Sequence, residues 1–274
     1  MLRNKNKLML GIPYYVWSVI FIVIPLFMVF YYGLTDKTGA FTFENVSAIA
    51  TYEHSKALWL AVKLSIISTI ICFFLAYPLA MILSRHAKGK SSVLVMLFIL
   101  PMWMNFLLRT MAWQTLLENN GVINTMLSFI GLPKMTMINT PGAIVFGMVY
   151  NFLPFMVLPL YNSLEKIDPN MINAARDLGA NALITFFKVT LPLSVPGIIS
   201  GITMVFVPAL TTFVISTLLG GSKILLIGNV IEQEFSQTNN WHLGSGLSIV
   251  LMIFIIISMV IQSIADKDGE GSVL

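Results

Sequence analysis

The polar segment 168–192 combines residue types and spacings that predict a contact site for another protein. Asp168 followed by Pro169 is a strong helix start, because Asp can accept hydrogen bonds from free backbone N–H groups and Pro is tolerated at the first helical position. Helix-compatible residues continue to Leu178, and Gly179 then supplies the positive φ that is common just past a helix end. The pattern predicts a short capped helix between two long apolar runs.

A second short helix is expected from about Asn181, leading into Leu191-Pro192 and the next apolar run. The predicted product is a helical elbow at the cytoplasmic surface. Small residues at Ala174 and Ala175 would let a partner approach closely, with polar rim contacts from Arg176, Asp177 and Lys188. An amphipathic helix lying on the lipid headgroups fits the same composition. Composition alone leaves both interpretations open.

The chain offers no residue cluster typical of catalysis, metal binding or nucleotide binding. The three histidines, His54, His86 and His242, are far apart in sequence, and no His, Cys or carboxylate group has metal-ligand spacing. Gly89-Lys90-Ser91 resembles the end of a phosphate loop, but Ser84 stands where that pattern needs its first glycine. We therefore expect no catalytic residue, no metal site and no cofactor bound by this chain.

Apolar runs make up most of the chain, in which 57% of the 274 residues are hydrophobic and 10% are charged. A soluble domain has roughly 25% charged residues, and about 20 helical residues cross a hydrocarbon core. The six candidate spans are residues 12–34, 64–84, 93–115, 139–162, 190–219 and 244–265. Barrel strands would instead alternate in segments of about 10 residues. We predict an all-α integral membrane protein with six transmembrane helices.

The distribution of Lys and Arg predicts the orientation of these helices, because cytoplasmic loops carry the excess of both residues. An internal N-terminus places the following residues in the cytoplasm: Arg3, Lys5, Lys7, Arg85, Lys88, Lys90, Lys166, Arg176, Lys188 and Lys267. Both termini are therefore expected in the cytoplasm. This bias explains the net charge of +4 and gives no reason to expect nucleic acid as a partner.

The central parts of the six spans contain no Asp or Glu. Carriers driven by protons or cations usually need such buried ionisable groups, so the energy for transport is expected from elsewhere. Arg109 is a charge within the third span, where we expect it to extend to the interface rather than to face a pore. Outside the spans, residues 35–63 read as a long external loop, and Val122–Phe129 as a short interfacial helix.

The spacing in segment 173–192 resembles the cytoplasmic loop signature of ABC importer permeases, E-A-A-x3-G-x9-I-x-L-P. The matching residues are Ala174, Ala175, Gly179, Val189, Leu191 and Pro192. Asn173 stands where that family usually has Glu, and Val189 replaces Ile. In that family the elbow inserts into a groove on the ATPase subunit. The resemblance thus implies an ATPase-coupling loop made of Asn173, Ala174, Ala175, Asp177, Gly179, Leu191 and Pro192.

Longer segments at 154–161, 174–180, 192–197 and 220–229 are similar to the PotB-type permeases of spermidine/putrescine importers. The resemblance implies a type I (MetI-like) permease fold in the plasma (inner) membrane, with a permease domain over 58–265, a first helix and external loop over 1–57 and a tail over 266–274. The implied partners are a second homologous permease, two ATPase subunits that bind ATP and Mg, an extracytoplasmic polyamine-binding protein and the lipid bilayer. The chain itself would perform no covalent chemistry.

An extended polycation needs carboxylates, carbonyls and aromatic faces along its path. Candidates for such a path are Glu118, Glu232, Glu234, Trp113, Tyr150 and Phe155. Each of the aromatic positions is also ordinary for helix packing or an interfacial belt, and packing is the more common role of such residues. In the fifth span, Gly197 and Gly201 would permit close helix approach, either within the chain or against the partner permease. Import of another small solute (an osmolyte, anion or chelated metal) and an autonomous secondary carrier are the alternative functions.

Overall fold

The computed structural model describes residues 13–85, 96 and 100–271, and its regular elements in that part are helices. One isolated antiparallel bridge joins Thr35 and Phe41. The first helices are α1 (Pro13–Gly33), α2 (Glu44–Ser47), α3 (Tyr52–Arg85), α4 (Phe106–Leu117), α5 (Val122–Phe129) and α6 (Pro141–Glu165). The remaining helices are α7 (Pro169–Asp177), α8 (Ala182–Leu193), α9 (Val195–Thr211), α10 (Val214–Gly220), α11 (Ile227–Ser236) and α12 (Trp241–Gly271).

Four helices of the described part are long and apolar enough to cross a membrane, namely α1, α3, α6 and α12. The pair α8 and α9 makes a fifth span if the two helices are counted together, although the chain bends by 64° between them. The third predicted span, 93–115, falls partly on residues outside the described ones. Its visible part is a 3-10 turn, Leu100–Trp103, followed by the twelve-residue helix α4. Lys88 and Lys90, which were predicted to lie in the cytoplasm, also fall outside the described residues.

One predicted boundary is wrong. Residues 52–63 were expected to belong to an external loop, but they form the start of α3, which continues without a break to Arg85. Their side chains are helix-compatible, and the charges of Lys56 and Lys63 do not interrupt the backbone hydrogen bonding. The sequence also indicates that Pro192, Pro196 and Pro208 could break the fifth predicted span. In the structure this span is bent at Ser194, between the first two of these prolines, and broken again at Thr212–Phe213.

The chain divides into two compact units. One comprises the described residues up to Ser55 together with Val230–Phe254, and the other comprises Lys56–Asn229 together with the chain from Ile255. In the first unit, the Nδ1 atom of His242 lies 3.0 Å from the carbonyl oxygen of Tyr32 and 2.6 Å from that of Thr35. Because carbonyl oxygens only accept, Nδ1 carries the proton. This histidine thereby ties α12 to the end of α1.

The second unit is built on the close packing of α9 along α6. A Cβ added at Gly197 would lie 2.5 Å from the Cβ of Ser163 and 2.7 Å from the carbonyl oxygen of Pro159. At Gly201 the added atom would lie 2.6 Å from the sulfur of Met156. Both glycines are buried. Their predicted close helix approach is confirmed, and it takes place within the chain.

The break between α9 and α10 is held by a buried amide. Asn229, 3% exposed, accepts hydrogen bonds from Ser216 Oγ at 2.6 Å and from the Leu226 N–H at 3.1 Å. Its Nδ2 donates to the Phe213 carbonyl at 3.1 Å and to Thr217 Oγ1 at 2.8 Å. Non-helical backbone at membrane depth needs such internal partners. Asn229 therefore fixes the broken span against the start of α11.

Candidate functional site

The elbow begins with the helix α7, whose start has the predicted cap. Asp168 has an extended backbone conformation, and its Oδ1 accepts a hydrogen bond from the Asn170 N–H at 2.9 Å. Pro169 occupies the first helical position, where its missing N–H costs no hydrogen bond. The sequence prediction of a helix starting at Asp168-Pro169 is confirmed.

The end of α7 is a Schellman motif. The Ala180 N–H donates to the Ala175 carbonyl at 3.0 Å, and the Gly179 N–H donates to the Arg176 carbonyl at 2.8 Å. Gly179 has a φ of +85°, as this motif requires. The glycine stop predicted from the sequence is thus confirmed in both position and conformation.

The second arm of the elbow is α8. Asn181 caps it, its Oδ1 accepting from the Ile184 N–H at 2.9 Å, and the helix widens to a π-helical turn over Phe186–Thr190. At its far end, Ser194 Oγ lies 2.8 Å from the Tyr77 hydroxyl of α3, and both residues are buried. The bend that leads into α9 is therefore anchored to a long helix of the same unit.

The elbow exposes apolar side chains that nothing in the described part of the chain covers. Leu178 is 89% exposed, Leu183 68% and Phe187 61%, and none of the nine residues of α7 is buried. Of the predicted coupling residues, those that are exposed are Asn173, Ala174, Asp177 and Gly179, and those that are half-buried are Ala175, Leu191 and Pro192. An exposed apolar surface rimmed by charged residues is typical of a protein-interaction site.

A cavity of about 590 Å³ lies at the start of the elbow. Its walls come from α6, α9 and the first residues of the elbow, and they include Ser163, Lys166, Asp168, Met171, Gly197 and Ser200. Because none of the nine residues of α7 is buried, the elbow is a surface element rather than part of the packed core.

Two of the predicted substrate-path residues meet in the second unit. The rings of Trp113 and Tyr150 lie edge-to-face with centroids 5.1 Å apart, and Phe146 lies 4.6 Å from Trp113. The guanidinium carbon of Arg109 lies 5.7 Å from the Tyr150 ring centroid. The aromatic face proposed for a substrate ammonium group therefore already carries a cation of the protein.

Arg109 does not extend to the interface, and that expectation was wrong. Its side chain is 7% exposed, its Nε donates to Asn151 Oδ1 at 2.9 Å, and its Nη1 donates to the Pro101 carbonyl at 2.7 Å. Asn151 was not singled out from the sequence. A polar amide inside one apolar run and an arginine inside another are the signal that could have paired them, because each needs a partner in a low-dielectric environment.

The other path candidates lie apart from this aromatic cluster or belong to the first unit. Glu118 is exposed at the end of α4, and Phe155 is half-buried beside Phe152, with ring centroids 6.4 Å apart. In the first unit, Glu232 Oε1 accepts from Ser236 Oγ at 2.7 Å, and Glu234 Oε2 accepts from Thr238 Oγ1 at 2.8 Å. Each carboxylate thus accepts from a hydroxyl four residues further along the chain, which lies within α11 for Glu232 and just after α11 for Glu234.

Within residues 13–85, 96 and 100–271, no group of three His, Cys, Asp or Glu side chains could hold a metal ion. The same residues form an exposed, capped elbow and a buried polar network around Arg109 and Asn151.

Comparison with known proteins agrees with this description. The family model described as "Binding-protein-dependent transport system inner membrane component" matches residues 2–268. The spermidine/putrescine transport system permease protein PotB of Haemophilus influenzae is 36% identical over 97% of this chain and 96% of its own length. PotB of Escherichia coli is also 36% identical, over 86% of this chain and 89% of its own length.

Solved structures confirm the fold. A bacterial ABC transporter involved in the import of the acidic polysaccharide alginate matches with a TM-score of 0.78 at 20% identity, over 98% of this chain and 96% of that chain. The same kind of transporter, in complex with an alginate pentasaccharide-bound periplasmic protein, matches with a TM-score of 0.79 at 18% identity, over 95% of this chain and 93% of that chain. The chain therefore belongs to the binding-protein-dependent transport system inner membrane components, the multi-pass permease subunits of ABC importers.

Proposed function

We propose that this chain is the permease subunit of an ATP-driven importer of polyamines, spermidine and putrescine. The observation that carries the proposal is the 36% identity to a spermidine/putrescine permease over nearly the whole length of both chains. The chain would pair with a second homologous permease, two ATPase subunits and an extracytoplasmic polyamine-binding protein. Solute would cross by alternating access, without covalent chemistry on this subunit.

The elbow is the proposed docking element for an ATPase subunit. Its position at the surface, its exposed Leu178 and Leu183, and its rigid caps at Asp168 and Gly179 support that role. A rigid helix that makes few contacts with its own core can transmit a displacement to α9 through the bend at Ser194. Docking at this position requires the elbow to lie in the cytoplasm, and a chain of six spans would then have both termini there as well.

The substrate path remains a proposal at the level of single residues. Glu118 supports it best, because its carboxylate is exposed and makes no hydrogen bond in the part of the chain that the structure describes. Glu232, Glu234 and Phe155 are further candidates for residues of the substrate path. Trp113 and Tyr150 are less suited to direct contact with an ammonium group, since Arg109 lies over the Tyr150 ring and would repel a second cation.

The test is transport by the assembled complex. This chain, affinity-tagged and purified with its native partners, is reconstituted into vesicles loaded with ATP, and uptake of labelled spermidine is measured with the binding protein outside. We expect ATP-dependent uptake that unlabelled putrescine competes with and that an osmolyte, an anion or a chelated metal does not.

Three outcomes would contradict the proposal in different ways. ATP-dependent uptake of a labelled osmolyte, anion or chelated metal under the same conditions, with no uptake of spermidine, would favour the alternative importer. Uptake by the purified chain alone in vesicles without ATP would indicate an autonomous secondary carrier. Recovery of the intact chain without any ATPase, under conditions that keep the elbow folded, would count against the docking role.

A further inference from the structure

The third apolar run contains a helix break at the middle of its predicted length. The 3-10 turn Leu100–Trp103 ends there, Met104 and Asn105 are not helical, and α4 begins at Phe106. Asn105 caps the new helix, its Oδ1 accepting from the Leu107 and Leu108 N–H groups at 2.9 and 3.2 Å. The chain thus ends one helical segment and starts another inside a hydrophobic segment, where exposed backbone polar groups are costly.

Arg109 bridges this break. Helical side chains lean towards the helix N-terminus, so an arginine in the first turn of α4 reaches back over the residues that precede the helix. Its Nη1 donates to the Pro101 carbonyl at 2.7 Å, which is shorter than the 3.3 Å bond that the same carbonyl receives from the Met104 N–H. A charged donor makes the stronger of the two bonds.

The same guanidinium fastens the turn to α6. Its Nε donates to Asn151 Oδ1 at 2.9 Å, and its plane lies near the Tyr150 ring. Asn151, 1% exposed, donates from Nδ2 to the Gly147 carbonyl at 2.8 Å, which fixes its amide with the oxygen towards Arg109. One side chain therefore joins the turn, α4 and α6 through a planar fork that lysine cannot reproduce.

The partners of Arg109 are all neutral. Between residues 100 and 271, and in the other described residues, no carboxylate forms an ion pair with it. A buried charge without a counter-ion is expensive, so its presence in an apolar segment marks a functional requirement. The turn that it holds presents Trp103 and Met104, which are 72% and 60% exposed.

We infer that Arg109 is a positioning residue for transport, which holds segment 100–105, the 3-10 turn and the two non-helical residues after it, in place as a wall of the solute path. Broken helices line solute sites in many transporters, because their backbone is free of the regular ladder. The inference rests on the proposed function for the identity of the solute. The contacts by which Arg109 joins the turn to α6, called the clamp below, can be tested without any solute.

The first experiment measures the accessibility of the turn. Cys72 is the single cysteine, so Met104→Cys in a Cys72→Ala background gives one exposed thiol for a water-soluble maleimide. In the purified complex, Arg109→Gln removes the charged donors and should raise the labelling rate about threefold or more, because the turn loses its tie to α6. Asn151→Leu should act in the same direction. Thr115→Val, an exposed position on the same helix, is the matched control and should leave the rate unchanged.

Conservative variants separate a clamp from general destabilisation. Asn151→Asp keeps the acceptor for Nε and should keep the labelling rate within about twofold of the parent. Arg109→Lys keeps the charge but reaches one acceptor at a time, and should give an intermediate rate. If Arg109→Gln does not insert, Asn151→Leu and Arg109→Lys carry the test on their own.

The second experiment measures spermidine uptake. If segment 100–105 is a wall of the solute path, its displacement in the Arg109→Gln complex should raise the KM for spermidine about fivefold or more, with a smaller change in the maximal rate. An unchanged labelling rate together with an unchanged KM in Arg109→Gln, or in both Asn151→Leu and Arg109→Lys, would overturn the inference. A wild-type complex that imports no spermidine would instead contradict the proposed function. The labelling rates would still show whether Arg109 holds the turn against α6.

Discussion

The hydroxyl of Tyr77 donates a hydrogen bond to Ser194 Oγ across 2.8 Å, at the point where the elbow bends into α9. The direction follows from the second bond of the serine, which gives its own hydrogen to the Leu191 carbonyl at 2.9 Å. Both side chains are buried, with Tyr77 5% and Ser194 0% exposed. The joint between the elbow and the membrane helices is thus a donor–acceptor chain with a defined direction.

This direction predicts unequal effects of the two deletions. Tyr77→Phe leaves Ser194 bonded to Leu191 and should cost about 0.5–1.5 kcal/mol, whereas Ser194→Ala leaves a buried phenol without an acceptor and should cost about 1–3 kcal/mol. The measurement is the thermal unfolding midpoint of the detergent-solubilised chain. Equal midpoints for the two variants would show that the bond has no such direction.

The two glycines at the contact of α6 and α9 should differ in their tolerance of alanine. At Gly197 the added carbon meets the Pro159 carbonyl, a backbone atom, whereas at Gly201 it meets the flexible Met156 side chain. Overpacking costs about 1–3 kcal/mol, and the helix propensity of Ala returns about 1 kcal/mol. We expect Gly197→Ala to lower the unfolding midpoint clearly and Gly201→Ala to change it little. The reverse order would mean that the contact is looser at Gly197.

The elbow could be predicted in detail from the sequence because its signals are local. The Asp168-Pro169 start and the Gly179 stop each depend on backbone geometry within a few residues. The short helix predicted over Val122–Phe129 has the same bounds in the structure. The long apolar runs gave the membrane class for a similar reason, since length and composition suffice.

The broken spans could not be predicted in the same way. Asn105 and the pair Thr211–Thr212 are short polar interruptions of long apolar runs, and such interruptions do not by themselves end a helix. Each break is stabilised by a side chain distant in sequence, Asn229 in one case and Asn151 acting with Arg109 in the other. Tertiary contacts of this kind override local propensity, and a single sequence does not reveal which polar residues meet.

Removal of the buried amide should loosen the break between α9 and α10. In Asn229→Leu the buried Leu226 N–H loses its acceptor, which should cost about 1–3 kcal/mol. Ser216→Ala is the milder comparison, because the amide of Asn229 keeps its other three bonds. Unfolding midpoints of both variants, with retained membrane insertion, would check this order. A midpoint for Asn229→Leu at or above that of Ser216→Ala would contradict the role given to the amide.

The loop after α1 should loosen in acid. Thr38 Oγ1 donates to Asp36 Oδ1 at 2.7 Å, and this bond, helped by the Ala40 and Thr38 N–H groups, holds the pKa of Asp36 below its ordinary value of 3.8. A lowered pKa means that the stabilisation is present above the ordinary value and is lost as the pH falls through the folded-state value. Hydrogen exchange of the Thr38 and Ala40 amides should therefore lose protection, relative to the intrinsic rate, below about pH 4. Asp36→Asn is the control, which should show no such pH dependence.

Gly179 provides the sharpest test of coupling through the elbow. Its φ is +85° and an added Cβ would meet nothing within 4 Å, so substitution acts through backbone conformation alone. Gly179→Pro fixes φ near −65° and removes the N–H that bonds the Arg176 carbonyl, and it should abolish solute-stimulated ATP hydrolysis while leaving insertion intact. Gly179→Ala should give a rate of solute-stimulated ATP hydrolysis between those of the wild type and the proline variant, because alanine at positive φ is strained by about 1–2 kcal/mol. Gly179→Asn should retain most of this activity, because Asn tolerates the conformation. Normal stimulated ATP hydrolysis in the proline variant would mean that stimulation of the ATPase does not depend on the conformation of this turn.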